Sequence, residues 1–430
     1  MILRGDGSSS VHRGDAFTAD QYPIGTATVV LMNPPYPHKK TDAPTQAFLN
    51  RGLEGLSLGG RLAAVIPQSL LTKGGEVRKW RSSLLAKHTL EAVIQMPDNL
   101  FQPYASATTE IVYLRKGIPH PKKKRVFFAR ISEDSFRLKK GVRIACPGDE
   151  LPKALEHFHS AQTEEGFSGW SSVDAELSFA PGAYIPAKEM AEVEIDAGVR
   201  EVVRGRTAFA ALHATELVTL NTANPKDPRT TRMPALTVAP AGTVGYYCEV
   251  RYGQTALHSK EGLAPGQSLV ISSSGMDNGC YGFFDFEDIL EPPFVAVPST
   301  GSIGIANVQE WPCGVTDDCL LLSPKKDVPH GMLYIAAAAI RNERWRFSYG
   351  RKPTPGRIAA FPLPHTPALL ERVEEYLRRA ASVEDQMLAD AEDALDSHKA
   401  RQRLAELEDG TIKTVSGATL DARLAAMMLD

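Results

Sequence analysis

A short apolar run that stops at two prolines constrains this chain more than any other feature. Residues 26–32 spell Thr-Ala-Thr-Val-Val-Leu-Met, and a continuous, partly β-branched run of this kind predicts a strand buried on both faces. Asn33-Pro34-Pro35-Tyr36 follows at once. Because proline fixes φ and removes a backbone donor, the two prolines end the strand in a rigid turn. We therefore expect a sheet in which this strand delivers a polar and an aromatic side chain at its carboxyl end.

Patterns typical of strands and helices alternate along roughly the first 150 residues. Apolar runs predict further strands at 61–66, 90–96 and 108–114. Helical patterns lie between them, one from Pro44 to Gly59-Gly60 and one over 76–87. Strands that alternate with helices predict an α/β fold with a parallel or mixed sheet.

The later part of the chain has a different pattern. A helical pattern covers about 190–220, and a polar stretch with two prolines, 221–232, is typical of a linker. Short β-branched and aromatic runs separated by glycine and proline fill 233–365, with one helix near 332–342. A long amphipathic helix is predicted for about 366–408. Residues 409–430 stay unassigned.

Composition excludes several classes of protein. The 430 residues carry a net charge of -3, which excludes a wholly basic nucleic-acid coat but permits a local basic cleft. The longest apolar runs are far shorter than the roughly 18 residues of a membrane helix, and the first residues lack a signal-peptide pattern. We therefore expect a cytoplasmic protein without a membrane segment. Five cysteines without a C-x-x-C pair favour reduced thiols, and no metal site is predicted.

The Asn33–Tyr36 turn offers the groups that an exocyclic amine on a planar base requires. The side-chain oxygen of Asn33 and the carbonyl of Pro34 can each accept a hydrogen bond from one N–H group of the amine. The nitrogen lone pair then stays available for attack. Tyr36 offers a flat face to a base that has left the duplex. The alternative interpretation is a structural Pro-Pro turn with a packed tyrosine. The position favours the first, because α/β sheets bind ligands at the carboxyl ends of their strands.

The turn resembles motif IV of the adenine-specific (N6) DNA methyltransferases. Residues 10–17 resemble the strand and acid of their motif III, 65–71 the strand and loop after motif IV, and 99–101 with 108–114 their motif VIII. Residues 126–131 resemble a strand of type I modification subunits. The resemblance implies S-adenosylmethionine as methyl donor and assigns three sets of residues: catalytic Asn33, Pro34, Pro35 and Tyr36; base-stacking Tyr36 and Phe101; cofactor-binding Asp15 and Phe17.

A second resemblance covers the later residues. Residues 298–304 and 346–352, together with 361–364 leading into the long helix, are similar to target recognition domains of specificity subunits. This implies double-stranded DNA as a partner, with contacts from Arg344, Arg346, Tyr349, Arg351 and Lys352. The alternative is a solvated rim around a packed Trp345 and Tyr349. The whole chain then resembles a fused modification and specificity protein.

The glycine-rich motif I of this family is not found in the sequence. Only fourteen residues precede Asp15, and Gly5-Asp6-Gly7 lacks the strand that leads into such a motif. In the family fold, the strands of motifs I and II lie between those of motifs III and IV. We therefore expect a Rossmann-like sheet that is incomplete at its N-terminal side. A start codon placed too late, a second chain that supplies motif I, and gene decay all fit.

Together these features predict four regions. Residues 1–190 form a partial S-adenosylmethionine-dependent methyltransferase domain, 191–232 a helical linker, 233–365 an α+β target recognition domain, and 366–430 a spacer helix and tail. The predicted function is methyl transfer to N6 of a flipped adenine in a restriction-modification or phage-defence system, with a restriction subunit as a further partner. The alternative is a non-catalytic DNA-binding or specificity component that depends on a partner chain for the cofactor site.

Overall fold

The computed structural model of the protein describes residues 13–18, 22–37, 39, 41–102, 108–232, 239–254, 262–348 and 350–408. Its contacts divide the chain into two compact units. The first unit extends to Ala191 and also includes Glu343–Pro353, and the second contains Glu192–Asn342 and the chain from Thr354 onward. The segment 343–353, which the sequence analysis placed in the recognition region 233–365, thus belongs to the first unit.

The first unit contains eight strands and four helices within the described residues. The strands are β1 (Ala27–Met32), β2 (Leu56–Pro67), β3 (Thr89–Gln95), β4 (Thr109–Arg115), β5 (Val126–Arg130), β6 (Asp134–Lys139), β7 (Val142–Asp149) and β8 (Ser168–Ser171). The helices are α1 (Thr45–Gly55), α2 (Gln68–Thr72), α3 (Gly75–Lys87) and α4 (Leu151–Ser160). The predicted strands and helices of this region are confirmed. One boundary was wrong: Gly59-Gly60 lies inside β2, where Gly59 has a φ of 74° and the pairing with β1 changes register.

The main sheet of the first unit is mixed, as predicted. Its strand order is β1-β2-β4-β3-β5-β8. β1 runs parallel to β2 and β3 parallel to β5, whereas β4 is antiparallel to both of its neighbours. The carboxyl ends of β1, β2, β3 and β5 therefore meet the amino end of β4 along one edge of the sheet, which we call the carboxyl edge.

The prediction that β1 is buried on both faces is wrong. Among the described strands β1 pairs with β2 alone, so it ends the sheet. Val29 is 43% exposed and Leu31 78% exposed, although both belong to the apolar run. The alternate residues Val30 and Met32 pack toward α1, where Gly52 allows close approach. Burial of both faces and both edges requires neighbours that the described part of the chain does not supply.

The second unit combines six helices with seven strands within its described residues. The helices are α5 (Glu192–Leu212), α6 (Ala214–Val218), α7 (Val244–Tyr247), α8 (Gly331–Asn342), α9 (Pro355–Ala359) and α10 (Pro367–Glu408). The strands are β9 (Cys248–Tyr252), β10 (Pro265–Ile271), β11 (Cys280–Phe284), β12 (Phe294–Pro298), β13 (Asn307–Gln309), β14 (Cys313–Val315) and β15 (Cys319–Pro324). They form two sheets, β11-β10-β14 and β13-β12-β15-β9. The predicted helices near 190–220, 332–342 and 366–408 are confirmed.

The stretch interpreted as a linker, 221–232, is held against the strands of the second unit. The amide of Asn221 donates to the carbonyl of Gln267 at 2.8 Å, and the amide of Lys226 donates to that of Ile289 at 2.7 Å. Lys226 also forms a parallel β-bridge with Leu290. Its polar composition therefore reflects backbone pairing and turns rather than a free connection between units.

A buried ion network fixes the long helix α10 to the rest of the second unit. Arg206 on α5 lies 3.0 Å from both carboxylate oxygens of Glu384 on α10 and 3.4 Å from Glu310. The hydroxyl of Tyr334 on α8 donates to Glu310 at 2.6 Å. Charges that are buried like these need such partners. Among the helices of the described residues, none combines the length and the apolar character that a membrane span requires.

Candidate active site at the carboxyl edge of the sheet

The Asn33–Tyr36 turn lies at the carboxyl edge, directly after β1. Pro34 is buried and anchors the turn, while Asn33 and Pro35 are exposed. The amide of Asn33 is therefore accessible from solvent at the end of the strand. This is the placement that the sequence predicted for the acceptor groups of the turn.

Tyr36 and Phe101 meet at this edge, although a long stretch of chain separates them. Their ring centroids lie 6.2 Å apart and the ring planes are inclined at 87°. Two aromatic faces that enclose a planar base must be parallel and about 7 Å apart, twice a carbon–carbon contact distance. The structure thus brings the two predicted stacking residues together, but one ring has to rotate before a base can enter between them.

The loop that carries Phe101 is fixed by an arginine from the β6–β7 hairpin. Arg143 donates to the carbonyl of Leu100 at 3.2 Å. The same guanidinium contacts both carboxylate oxygens of Asp134, at 2.5 and 2.6 Å. The backbone immediately before Phe101 is therefore fixed to the hairpin.

Sequence reasoning missed a buried polar group at this edge, formed by Gln68, Gln95 and Glu110. Glu110 on β4 lies opposite Ile66 of β2 and Gln95 of β3, and it is fully buried. Gln68 donates to its carboxyl group at 3.1 Å. Burial raises the pKa of Glu110 to about 8, so this carboxyl group is protonated at neutral pH. The signal in the sequence was a single glutamate directly before the apolar residues 111–114.

Several buried polar atoms at the carboxyl edge have no hydrogen-bond partner within the described part of the chain. They are the Tyr36 hydroxyl and the side-chain oxygens Gln95 Oε1, Asn99 Oδ1, Thr109 Oγ1 and Glu110 Oε2. Buried polar atoms normally have partners, and exceptions cluster where a ligand or water binds. Burial also raises the pKa of Tyr36 to about 12, so its hydroxyl stays neutral and able to donate.

Asp15 and Phe17, the predicted cofactor residues, lie in a turn before β1. Asp15 is exposed, and its Oδ1 accepts the backbone N–H of Phe17 at 2.9 Å. Phe17 packs edge-on against Phe48 of α1 at 4.8 Å, and Arg51 of the same helix donates to the carbonyl of Ala16 at 2.7 Å. α1 thus holds this turn in place. Of the strand predicted before Asp15, residues 10–12 lie outside the described residues, and Arg13 and Gly14 are not in a strand.

Comparison with known proteins shows which family the first part of the chain resembles. Residues 1–178 match the family described as N-6 DNA Methylase. This part of the chain is similar to adenine N6 methylases of restriction-modification systems. The type II restriction enzyme and methyltransferase RM.BcgI of Heyndrickxia coagulans is 34% identical over 160 residues, which are 36% of this chain and 25% of that protein.

Two further relatives are of the same kind. The methylase subunit of the type I restriction enzyme MpnII of Mycoplasma pneumoniae is 32% identical over 132 residues, 31% of this chain and 23% of that subunit. The matches therefore span about a quarter of the curated relatives. A solved type I methyltransferase subunit from Streptococcus thermophilus is 24% identical and covers 39% of both chains, with a TM-score of 0.33. That TM-score is too low to establish a shared overall fold.

The five residues predicted to contact DNA differ in their surroundings. Arg344 is 47% exposed, and its guanidinium lies 3.8 Å from the carboxylate of Asp98, in the loop that leads to Phe101. Arg346 is 12% exposed and donates to the carbonyls of Ile185 and Pro186 at 2.9 and 3.3 Å. Arg351 and Lys352 are partly buried. Tyr349 lies outside the described residues.

The side chain of Arg346 is therefore held by contacts within the first unit. Its guanidinium also pairs with Glu343, and the neighbouring Trp345 is buried in the core of the sheet, where Arg130 lies over its ring at 4.7 Å. A guanidinium with three protein partners has few donors left for a phosphate. Trp345 is packed, as the alternative interpretation expected, but Arg346 is covered by protein partners and is not part of a solvated rim.

Proposed function

We propose that this chain acts in the methylation of adenine N6 in DNA, within a restriction-modification system. The observation that carries the proposal is the meeting of Asn33, Tyr36 and Phe101 at the carboxyl edge, where buried polar atoms also lack partners. An exposed amide and two aromatic rings at one place suit an extruded base better than they suit a packed turn. The match of residues 1–178 to the N-6 DNA methylase family supports the same chemistry.

In this proposal the chain's own residues hold and orient the target amine. The Asn33 side-chain oxygen and the Pro34 carbonyl accept hydrogen bonds from its two N–H groups. These bonds direct the nitrogen lone pair away from the turn. Tyr36 and Phe101 enclose the base and fix the angle at which the lone pair points. Positioning of this kind supplies much of the rate of a displacement at carbon, because the two reactants are held in line.

S-adenosylmethionine supplies the methyl group, bound to a positively charged sulfur, when it is present. The described residues fit this cofactor only in part. Asp15 offers a carboxylate and Phe17 an apolar ring, but no glycine-rich turn that follows a strand lies within the described residues before β1. We therefore assign to Asp15 and Phe17 one side of a cofactor site, and we derive no step through the cofactor itself.

DNA recognition in this proposal belongs to residues 233–365, with phosphate contacts from Arg344, Arg351 and Lys352. The position of Arg344 beside Asp98 supports a DNA path near the loop that carries Phe101. Arg346 is left out for the reason given above. Double-stranded DNA is thus the first partner, and a restriction subunit is a second one, as the type I and type II systems of the relatives suggest.

Among the described strands β1 has one unpaired edge, which favours a second candidate function. An edge strand with apolar side chains in solvent is a template for pairing with a further strand. In this alternative the chain binds DNA but does not catalyse methylation alone, and a polypeptide with the cofactor-binding strands completes the sheet beside Leu31. Leu31→Lys tests this: the variant should keep the melting temperature of wild type but lose the methylation activity that extract of the source cells restores to wild type. Equal activity of the two chains with extract would count against a pairing edge.

The first experiment is calorimetric titration of S-adenosylmethionine into the purified chain, followed by a methylation assay. DNA from a host without adenine methylation is incubated with labelled cofactor, and N6-methyladenine is measured by mass spectrometry. Micromolar cofactor binding and labelled DNA support the catalytic proposal. No binding by a folded chain supports the partner-dependent alternative, and the assay is then repeated with extract of the source cells.

Asn33→Ala tests whether the turn holds the target amine for methylation. We expect it to abolish methylation, with or without added extract, and to leave DNA affinity within about twofold of wild type. Asn50→Ala, an exposed asparagine on α1, is the matched control and should retain activity. Unchanged methylation by Asn33→Ala would overturn the assignment of the turn.

A further inference from the structure

Three side chains with metal-ligating atoms meet in the second unit. His213 lies between α5 and α6, Asp277 in the turn after β10, and Cys280 at the start of β11. Nε2 of His213 is 2.8 Å from Oδ2 of Asp277. One ligand atom from each of the three residues lies within 4.8 Å of the other two. All three elements belong to the same compact unit.

The imidazole of His213 lies among an acidic and two aromatic side chains. Its other nitrogen, Nδ1, is 4.0 Å from the carboxylate of Glu216, which is beyond hydrogen-bond distance. The rings of Phe209 and Phe283 contact the imidazole, with centroids at 5.0 and 5.4 Å, and provide an apolar surround.

The turn that presents Asp277 has an unusual backbone. Asp277, Asn278 and Gly279 have φ values of 52°, 51° and 85°, so three successive residues are left-handed. Such a conformation in non-glycine residues is strained, and it persists where the surroundings enforce it, often at functional sites. The Asn278 side chain donates to the carbonyl of Val308 at 3.1 Å, and Gln309 donates to the carbonyl of Asn278 at 3.0 Å. The turn is therefore fixed by contacts that do not involve His213.

We propose that His213, Asp277 and Cys280 bind a divalent transition-metal ion, with zinc as the expected occupant. Imidazole with thiolate selects zinc and its neighbours over magnesium or calcium. Ligand atoms around a tetrahedral zinc ion lie roughly 3 to 4 Å apart, given bonds of about 2.0 to 2.3 Å, so side-chain shifts of about 1 Å complete the site. One carboxylate and one thiolate balance the charge of the ion, and a fourth position stays open to water.

This proposal departs from the expectation, drawn from the lack of a C-x-x-C pair, that the chain has no metal site. That pattern finds ligands that are close in sequence, whereas His213 lies far from Asp277 and Cys280 along the chain. The competing explanation is that His213 and Asp277 form a hydrogen bond alone and Cys280 is an ordinary thiol. The two explanations differ in whether Cys280 becomes a ligand.

Titration with Co²⁺ alone distinguishes them, because cobalt replaces zinc and has visible absorption. The full chain is purified without a metal-affinity tag, treated with a chelator and titrated. We expect saturation at one ion per chain, with the intense visible bands of tetrahedral cobalt and a thiolate-to-cobalt charge-transfer band, both removed by added Zn²⁺. Cys280→Ser should remove the charge-transfer band, and His213→Gln should weaken binding at least tenfold. Cys146→Ser, in the first unit, is the matched control and should titrate like wild type.

Asp277→Asn adds a test that preserves the backbone, because asparagine tolerates a positive φ. Zn²⁺ should raise the melting temperature of wild type but not that of this variant. The proposal is overturned if a folded wild-type chain shows no saturable cobalt absorption, or if the charge-transfer band survives Cys280→Ser. If Cys280→Ser does not fold, loss of the zinc-dependent melting shift in Asp277→Asn supports the site and its persistence refutes it.

Discussion

Tyr36 and Phe101 lie edge to face, 6.2 Å between ring centroids, although two strands of the sheet separate the strands that precede them. Tyr36 follows β1 and Phe101 follows β3, and β2 and β4 lie between those strands. The loop after β3 therefore extends across the carboxyl edge to meet the turn. The same edge carries the buried polar atoms that lack partners within the described residues.

The hydroxyl of Tyr36 gives the first prediction. Because this buried group has no partner within the described residues, Tyr36→Phe should leave stability unchanged or raise the free energy of unfolding by up to about 1 kcal/mol. Tyr184→Phe is the control in the same unit, since its hydroxyl donates to the carbonyl of Ser178 and accepts the amide of Asp174. Its loss should lower stability by about 1 to 3 kcal/mol. Equal losses in thermal denaturation would contradict the contrast.

Glu110 gives a prediction about pH. Burial raises its pKa from 4.5 to about 8 in the folded chain, so the folded state keeps a proton that the unfolded state releases. Stability from this group is therefore complete below about pH 4.5 and falls as the pH rises to about 8. Glu110→Gln, which is neutral throughout, should show a weaker decline and be more stable than wild type at pH 8. Melting temperatures across this range measure it.

The control for that measurement is Glu76→Gln, an exposed glutamate on α3 paired with Lys79. It should follow the wild-type curve. If Glu110→Gln declines with pH as steeply as wild type does, the carboxyl group of Glu110 is not the source of the pH dependence.

Local patterns predicted most of the fold because strands and helices depend on neighbouring residues. The apolar run before Asn33, the prolines after it and the helical periodicity of 366–408 all gave correct elements. The exposure of Leu31 was not predictable from the run itself, which is as apolar as an interior strand. The expectation of an incomplete sheet allowed for it, and among the described strands the run lies at the end of the sheet.

Side-chain partners that are distant in sequence account for the remaining differences. The sequence identified Tyr36 and Phe101 through motifs, and the structure brings them together. Nothing in the sequence indicated that Arg346 would donate to the carbonyl of Ile185. The contact between His213 and Asp277 likewise joins residues that are distant in sequence. Such contacts depend on chain topology, which local composition does not encode.

Glu384 gives a prediction about the buried ion network. Glu384→Gln leaves the charge of Arg206 without its main partner in a buried site, and this should lower the free energy of unfolding by about 3 kcal/mol. Glu375→Gln on the same helix removes exposed pairs with Arg378 and Arg379 and should have little effect. Chemical denaturation of both variants gives the comparison. If the free energy of unfolding falls as little in Glu384→Gln as in Glu375→Gln, the charge of Glu384 is not needed to balance that of Arg206.

Arg344 and Arg346 are two positions apart, yet we expect their alanine variants to fail in different ways. Arg344→Ala should keep the melting temperature and weaken DNA binding, and the slope of log affinity against log salt should fall by about 1 if one phosphate contact is lost. Arg346→Ala should lower the free energy of unfolding by about 2 kcal/mol, because the carbonyl of Ile185 and the carboxylate of Glu343 lose their donor. The carbonyl of Pro186 keeps the amide of Gly166 as its donor.

Thermal denaturation and fluorescence titration of a DNA duplex at several salt concentrations measure both variants. The residual DNA affinity of Arg346→Ala, taken below its melting temperature, should stay near that of wild type. An unchanged melting temperature together with a reduced salt slope for Arg346→Ala would return this residue to the DNA interface. Wild-type affinity and slope for Arg344→Ala would remove Arg344 from it.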